Sequence, residues 1–438
     1  MFPLFTSNTD RVALLLEDSS VTYAELEAEA ARASDLLAAV PAYAHPAEVS
    51  ARAFGRLLAA ARLGTPVVLL PAVPSAELVG FARRELGAWL PDSSAPPSDA
   101  PRESPGVLPR GAVVILTSGT SGTPKAVQHS WTSLSGPVRC RADLDGAVWL
   151  LTYPYHLYAG LQVVLQVLLG QGTIVAMPAD PSPVAVLRRM AQARVEFVSA
   201  TPSFFRHLLS FGGADQFLRL RVRQLTLGGE RVGQDTLDSL RSRFPSARLV
   251  HIYATSELGR CFAVTDGREG FPARWLEEPL RDGVRLRIRD GQLEVRPAFP
   301  MTRYAGDRPA AVLPDGWCLT GDLVEQLGDR VFFRGRRSDL INVGGFKVNP
   351  VRVEDVLRTG AGVQDARVFA RRSTLAGELV AAEIALAPGM DETAALAAVR
   401  AILAEQLTEA ERPRFIKVVR EIRRTTAGKI ARREGGTQ

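Results

Sequence analysis

The chain has 438 residues, enough for two or three domains, with 46% hydrophobic and 23% charged residues, which excludes a globally disordered chain. Its net charge of +6 favours polyanionic ligands such as nucleotides, but no basic block interleaved with aromatic residues supports nucleic acid as the partner. Cys140, Cys261 and Cys318 are sparse and far apart, which excludes a disulfide framework or a zinc site and fits a reducing cytoplasm.

In chain order, the start "MFPLFTSNTDRVALLLEDSS" lacks a basic segment followed by a long apolar one, so no signal peptide is expected. The runs "TPVVLL", "AVVILTS", "GTIVAM", "VEFVSA", "RQLTLGG" and "RLVHIY" are short, apolar and bounded by turn residues, and read as strands. Amphipathic stretches separate them. One is "SPVAVLRRMAQAR", with Ser182 as N-cap and Pro183 at the first helical position. The alternation predicts an α/β body. Residues 93–108 are rich in Pro and Ser and read as an exposed loop. The apolar run 148–177 is broken by His156, Gln162, Gln166 and glycines, and reads as buried strand and helix rather than a membrane span.

From about Arg281 the pattern changes. "VRLRIRDGQLEVR" predicts a hairpin turning at Asp290-Gly291, and "WCLTGDLVEQLGDRVFFRGR" a second turning at Gly328-Asp329. Beyond Arg336 a small α+β domain is predicted. Asn349-Pro350 opens one helix that Gly360 closes, and Asp391 caps another that runs to about Leu407.

The stretch "LTSGTSGTPKAV" follows the strand-like run 112–116. Backbone N–H groups and hydroxyls in such a loop can form a nest for phosphate oxygens. It is not a GxxxxGK[ST] loop, because Lys125 follows Pro124 and precedes Ala126. Lysine is rare here, with four lysines against 49 arginines, so each lysine marks a place where a compact ammonium is chosen over a guanidinium.

"LTSGTSGTPKAV" resembles the signature loop of the adenylate-forming superfamily of acyl-CoA synthetases, aryl-acid ligases and peptide-synthetase adenylation domains. Further resemblances follow in that family's order: "LGGE" at 227–230, "YATSE" at 253–257, "TGDL" at 320–323, "GRRSDLINVGGFKVNPVRVED" at 335–355 and "RRTTAGKIAR" at 423–432. The resemblance implies a large N-terminal domain, residues 1–336, binding ATP and acid on sheets packed by helices. A small mobile α+β domain, residues 337–438, would carry the catalytic lysine. It implies that a carboxylate attacks the α-phosphate of ATP, giving an acyl adenylate and pyrophosphate. A thiol then displaces AMP. Such an enzyme is an acid–thiol ligase.

The resemblance also implies site residues. Thr117, Ser118, Gly119, Thr120 and Lys125 would hold the β- and γ-phosphates. Glu257 would bind Mg²⁺, and Ser256 would lie at the α-phosphate. Gly228, Gly229, Glu230 and Tyr253 would lie beside adenine. Asp322 would accept the ribose hydroxyls, and Arg336 would approach ribose or phosphate. Lys429 would bridge carboxylate and α-phosphate as the catalytic charge. Ser338 stands at the hinge, where the family usually has Asp or Lys. Gly344, Gly345, Phe346 and Lys347 would line the coenzyme A path. The acid would lie against Tyr155, His156, Gly160, Ala254 and Thr255. Ala254 replaces a usual glycine, and Trp131 stands where many members place a histidine or another aromatic.

Residues 147–179 contain no Asp or Glu, so an α-ammonium substrate would lack a partner there. Tyr153, Tyr155, His156 and Tyr158 suggest a flat, partly polar pocket, favouring an aromatic acid over a short or medium aliphatic one; the same tyrosines could equally pack a core edge. Coenzyme A is the expected acceptor. A carrier protein or an amine is the alternative, and a non-catalytic binder of nucleotide or acyl adenylate a second. No nucleic acid or membrane partner is expected, and the chain is expected to be a cytoplasmic monomer or homodimer.

Overall fold

The computed structural model describes residues 9–90, 108–117, 124–140, 142–211, 217, 219–305, 313–373, 377–387, 389–424 and 430. The chain packs as two compact units. The first comprises residues 1–268, 280–284 and 296–318, and the second residues 269–279, 285–295 and 319–438. The hairpin strands beyond residue 268 therefore group with the C-terminal part.

The first unit is built on two sheets. The larger has eight strands in the spatial order Gly259–Val264, Arg248–Thr255, Gln224–Gly228, Phe197–Ala200, Val148–Leu151, Thr173–Ala176, Val12–Leu15 and Ser20–Thr22. Its inner pairs are parallel and its two edge pairs antiparallel. Strands buried on both faces read as continuous apolar runs, which is why they stood out in the sequence. The helices Pro183–Gln192 and Gln234–Arg243 provide crossovers between them. Pro183 does begin its helix, but the Ser182 hydroxyl makes no cap bond and instead donates to Asp180. The apolar run becomes the strand Val148–Leu151, the helix Tyr158–Leu169 and the strand Thr173–Ala176. No helix among the described residues is long and apolar enough to cross a membrane.

The second sheet has the order Arg303–Tyr304, Lys125–Ser130, Ala112–Thr117, Val67–Leu70 and Tyr43–Pro46. The strands Ala112–Thr117 and Lys125–Ser130 pair antiparallel, with Thr117 opposite Lys125 and Val113 opposite His129. Alternation splits the first of these strands between two cores. Val113 and Ile115 pack in the core with Tyr155 and Tyr158, and Ala112, Val114 and Leu116 pack in another.

In the second unit, the strands Arg285–Arg289 and Gln292–Arg296 flank Asp290 and Gly291, at φ 50° and 70°. Two positive φ values in a two-residue loop suit the right-handed twist of a hairpin. The longer hairpin pairs Cys318–Leu327 with Arg330–Arg336. The helix Pro350–Arg358 is capped by the Asn349 side chain, and Glu392–Gln406 by that of Asp391. Both pack on the sheet that contains Val363–Ser373, Gly377–Leu386 and Phe415–Val419. The loop read at 93–108 lies outside the described residues except for Leu108, which is buried.

Candidate active site

Several of the first unit's candidates, among them Thr117, Gly228 and Glu257, lie at or just past the carboxyl ends of strands, where open α/β sheets place their ligand crevices. Thr117 ends one strand and Lys125 begins the next, directly opposite it. Ser118, Gly119 and Thr120 lie outside the described residues, as does Lys429. Lys125 is half-buried and has no carboxylate partner among the described residues. An unpaired ammonium at the mouth of a Gly/Ser/Thr loop leaves its charge available to an anion.

Ser256 and Glu257 lie in the turn that follows the strand Arg248–Thr255. The pairing of that strand with Gly259–Val264 slips between Tyr253 and Ala254. Such irregularities redirect a strand end and its side chains. Leu258 N–H donates to the Thr255 hydroxyl at 3.0 Å, and Gly259 turns with φ +69°. A Cβ on Gly259 would lie 2.6 Å from the Phe299 carbonyl oxygen, so that position tolerates no side chain.

Glu257 is held at two points. Its carboxylate Oε1 accepts from the Tyr304 hydroxyl at 3.2 Å. Its carbonyl accepts from Met301 N–H at 2.8 Å. The preceding carbonyl, of Ser256, lies 2.7 Å from Nε2 of the buried His129. Tyr304 belongs to the strand paired beside Lys125–Ser130, opposite Val127. The strand that starts with Lys125 thus also carries His129 and borders Tyr304. The sequence reading missed His129, Met301 and Tyr304. A histidine four residues after the loop lysine was the one available signal.

Gly228 ends its strand, and its carbonyl accepts from the Tyr153 hydroxyl at 3.1 Å. Gly229 has φ +83°, a left-handed value that favours glycine. Glu230 accepts from Ser203 N–H at 3.1 Å, at the start of the helix Pro202–Phe211, so one of its oxygens serves that helix end. The half-buried Tyr253 stacks on Phe262 of the neighbouring strand, with ring centroids 5.1 Å apart.

The residues expected around the acid divide by hydrogen bonding. The Tyr155 hydroxyl donates to the Glu48 carbonyl at 2.8 Å and lies 2.9 Å from His45, which also bonds Tyr43. Tyr155 is fully buried in this network. The Tyr158 hydroxyl accepts from Arg260 N–H at 3.0 Å. These tyrosines therefore pack as core, because a buried hydroxyl needs a partner and the backbone supplies it. Burial raises the pKa of all three of Tyr153, Tyr155 and Tyr158. His156 differs: it is buried, its Nδ1 has no hydrogen-bond partner among the described residues, and burial pushes its pKa down to about 4. Gly160 is required by packing, since a Cβ would sit 2.3 Å from the Pro154 carbonyl oxygen. Ala254 packs against the core that holds Tyr155 and Tyr158.

In the second unit, the Thr320 hydroxyl donates to the Leu293 carbonyl and accepts from Asp322 N–H, which locks the turn around Gly321. Asp322 is buried and accepts from Arg336 Nε at 2.8 Å across the hairpin. Ser338 is exposed in the short turn Arg337–Asp339, and its hydroxyl donates to Asp339. Gly344 and Gly345 turn the strand Ile341–Val343 into Phe346–Val348, both with positive φ. Phe346, 68% exposed, and Lys347 project from that hairpin.

Residues 71–299 match the family model of the AMP-binding enzyme, and residues 352–429 match the AMP-binding enzyme C-terminal domain. The chain belongs to the AMP-binding enzyme family. It is 28% identical over 344 residues to 4-coumarate–CoA ligase-like 5 of Oryza sativa subsp. japonica, covering 74% of this chain and 61% of that protein. It is 26% identical over 385 residues to 3-hydroxybenzoate–CoA ligase of Aromatoleum sp. (strain CIB), covering 83% of this chain and 72% of that one. Its fold matches ATP-bound MatB from Rhodopseudomonas palustris with a TM-score of 0.76, at 22% identity, over 97% of this chain and 95% of that one.

Proposed function

We propose that the protein activates an aromatic carboxylic acid with ATP, releasing pyrophosphate, and transfers the acyl group from its adenylate to coenzyme A. One observation carries this reading. The strand Lys125–Ser130 starts with a lysine that has no carboxylate partner among the described residues, and it borders the strand whose Tyr304 holds the Glu257 carboxylate. A cation free to meet phosphate oxygens and a fixed carboxylate are what a nucleotide–metal site needs. The family assignment and the acid–CoA ligases similar to this chain support the same reaction class.

Joining a carboxylate to a triphosphate brings two anions together, so positioning and charge compensation carry the chemistry. Thr117 and Lys125, with Ser118, Gly119 and Thr120, would bind the β- and γ-phosphates. The Glu257 carboxylate is a hard oxygen ligand suited to Mg²⁺, which when bound would neutralise phosphate charge. Ser256 would lie at the α-phosphate, Tyr253 beside adenine, and Asp322 at the ribose hydroxyls. Arg336, now on Asp322, would neutralise that carboxylate or a phosphate. Lys429 would draw the substrate carboxylate to the α-phosphate. Rotation at Ser338 would exchange Lys429 for the thiol path at Gly344, Gly345, Phe346 and Lys347. The boundary between the moving parts would then be residue 336.

Support for an aromatic acid comes from the two relatives and from the absence of Asp and Glu in residues 147–179. The neutral His156, with a free ring nitrogen, can bond a substrate carboxylate or ring hydroxyl without adding charge. The test is product analysis after incubation with ATP, Mg²⁺, coenzyme A and benzoic, hydroxybenzoic, cinnamic or aliphatic acids. An aryl-CoA thioester with one AMP formed per thioester supports the proposal. Adenylate that accumulates and reacts with an added carrier protein or amine, but not with coenzyme A, overturns the acceptor.

A further inference from the structure

We propose that His129 is the residue that positions Glu257, acting through the Ser256 carbonyl. The inference rests on the reading of Glu257 as the metal-binding carboxylate. A carbonyl oxygen only accepts hydrogen bonds, so at 2.7 Å from Ser256 O the Nε2 of His129 must carry hydrogen. That leaves Nδ1 as an acceptor, 3.2 Å from the Ser133 hydroxyl, which also donates to the Ser130 carbonyl at 3.0 Å. Ser133 is itself pinned. It accepts from Ser130 N–H, while Ser130 Oγ accepts from Ser133 N–H, a reciprocal cap on the helix Trp131–Ser135. Burial, the dominant influence on the ring, lowers the His129 pKa and favours the neutral ring, whose tautomer the Ser256 carbonyl selects.

The ordered sequence of contacts therefore runs from the helix cap to Ser133, His129, the Ser256 carbonyl and Glu257. Ser256 lies past the end of its strand, in a turn where no ladder fixes the carbonyl direction. Rotating that peptide would swing the Glu257 backbone, because Ser256 C=O and Glu257 N–H share one plane. With Met301 on the next carbonyl, both peptides flanking the Glu257 Cα are held. His129 also sits on the strand begun by Lys125, so lysine and glutamate are referenced to one rigid element. A histidine that merely filled a buried space would not need this donor.

Three measurements decide it. In the unmodified protein, ¹⁵N-histidine spectra of the five histidines should show His129 neutral with the hydrogen on Nε2. The Nδ1–H tautomer, or a charged ring at pH 7, overturns the proposal. His129→Phe keeps the ring volume but removes the donor, whereas His129→Gln can restore an N–H near the Nε2 position. Without ligand, His129→Phe should speed amide hydrogen exchange in residues 255–258 about tenfold, the ordinary worth of one hydrogen bond, and leave residues 350–358 unchanged. It should also raise the Mg²⁺ concentration for half-maximal pyrophosphate exchange, and His129→Gln should reverse both effects. Exchange that rises uniformly through the first unit, or a glutamine variant no better than phenylalanine, contradicts a positioning role. Glu257→Gln separates the two claims. If its Mg²⁺ dependence is unchanged, the metal reading fails, while the exchange and tautomer results still decide the role of His129.

Discussion

The Tyr304 hydroxyl donates to Glu257 Oε1 at 3.2 Å, joining the edge strand of one sheet to the turn that leaves the other. A hydrogen bond to a charged carboxylate contributes about 1.5–3 kcal/mol. Part of that is directional, because it holds one oxygen and leaves the second for a cation. Tyr304→Phe is expected to fold normally and to lower the adenylation rate about tenfold at limiting Mg²⁺, with recovery at high Mg²⁺. A titration of pyrophosphate release against Mg²⁺ checks this. An equal loss at all Mg²⁺ concentrations would assign Tyr304 another role.

The two motif lysines should separate in kinetics. Lys125→Ala should weaken ATP binding, since on the proposed reading the ammonium would contact phosphate in the ground state. Lys429→Ala should leave ATP binding intact and abolish adenylation, since on the proposed reading its charge would act where carboxylate and α-phosphate meet. Equilibrium binding of ATP, set beside pyrophosphate release, distinguishes them. Normal pyrophosphate release by Lys429→Ala would remove that lysine from the mechanism.

Acid should destabilise the fold through its buried histidines. Burial lowers the pKa of His45 to about 3 and of His156 to about 4, and lowers that of His129. Each value lies below the ordinary 6.5, so the unfolded chain binds protons first as pH falls. Their contribution is fully present above pH 6.5 and is lost progressively down through the folded pKa values. Melting temperature should therefore fall between pH 6.5 and 4. Replacing His45 by Gln, which keeps polar contacts to Tyr43 and Tyr155 but does not titrate, should flatten the slope. An unchanged slope would exclude His45 from it.

Gly160→Ala should destabilise the first unit by about 1–3 kcal/mol, the usual range for overpacking. The added carbon would press on the Pro154 carbonyl, which is backbone and cannot turn away. Because residues 154–156 carry His156, the KM for the acid should rise while that for ATP stays the same. Thermal melting and steady-state kinetics test both halves.

Much of the architecture was legible because its strands are buried on both faces and its turns use residues with few alternatives. The Val67–Leu70 and Ala112–Thr117 strands read as plain apolar runs, and Asp290-Gly291 and Asn349-Pro350 mark their turn and cap directly. Contacts made between distant segments were not legible. Nothing near Tyr155 in sequence announces His45 and Glu48, over a hundred residues away, so pocket wall and core edge were equal readings for it. The Ser182 hydroxyl was lost to a neighbour, Asp180, that competes with the helix end. Lys125, Glu257 and Asp322 were proposed from the motif pattern, whereas the contacts of His129 with the Ser256 carbonyl and of Tyr304 with Glu257 join distant segments and had no such signal.

ATP–pyrophosphate exchange without any thiol isolates adenylation of the acid from every later step. Mg²⁺-dependent exchange is expected with benzoic, hydroxybenzoic or cinnamic acids, and is expected to be lost in Lys429→Ala. Exchange absent for every acid, in protein that binds ATP, would contradict it and leave a nucleotide-binding protein without this activity.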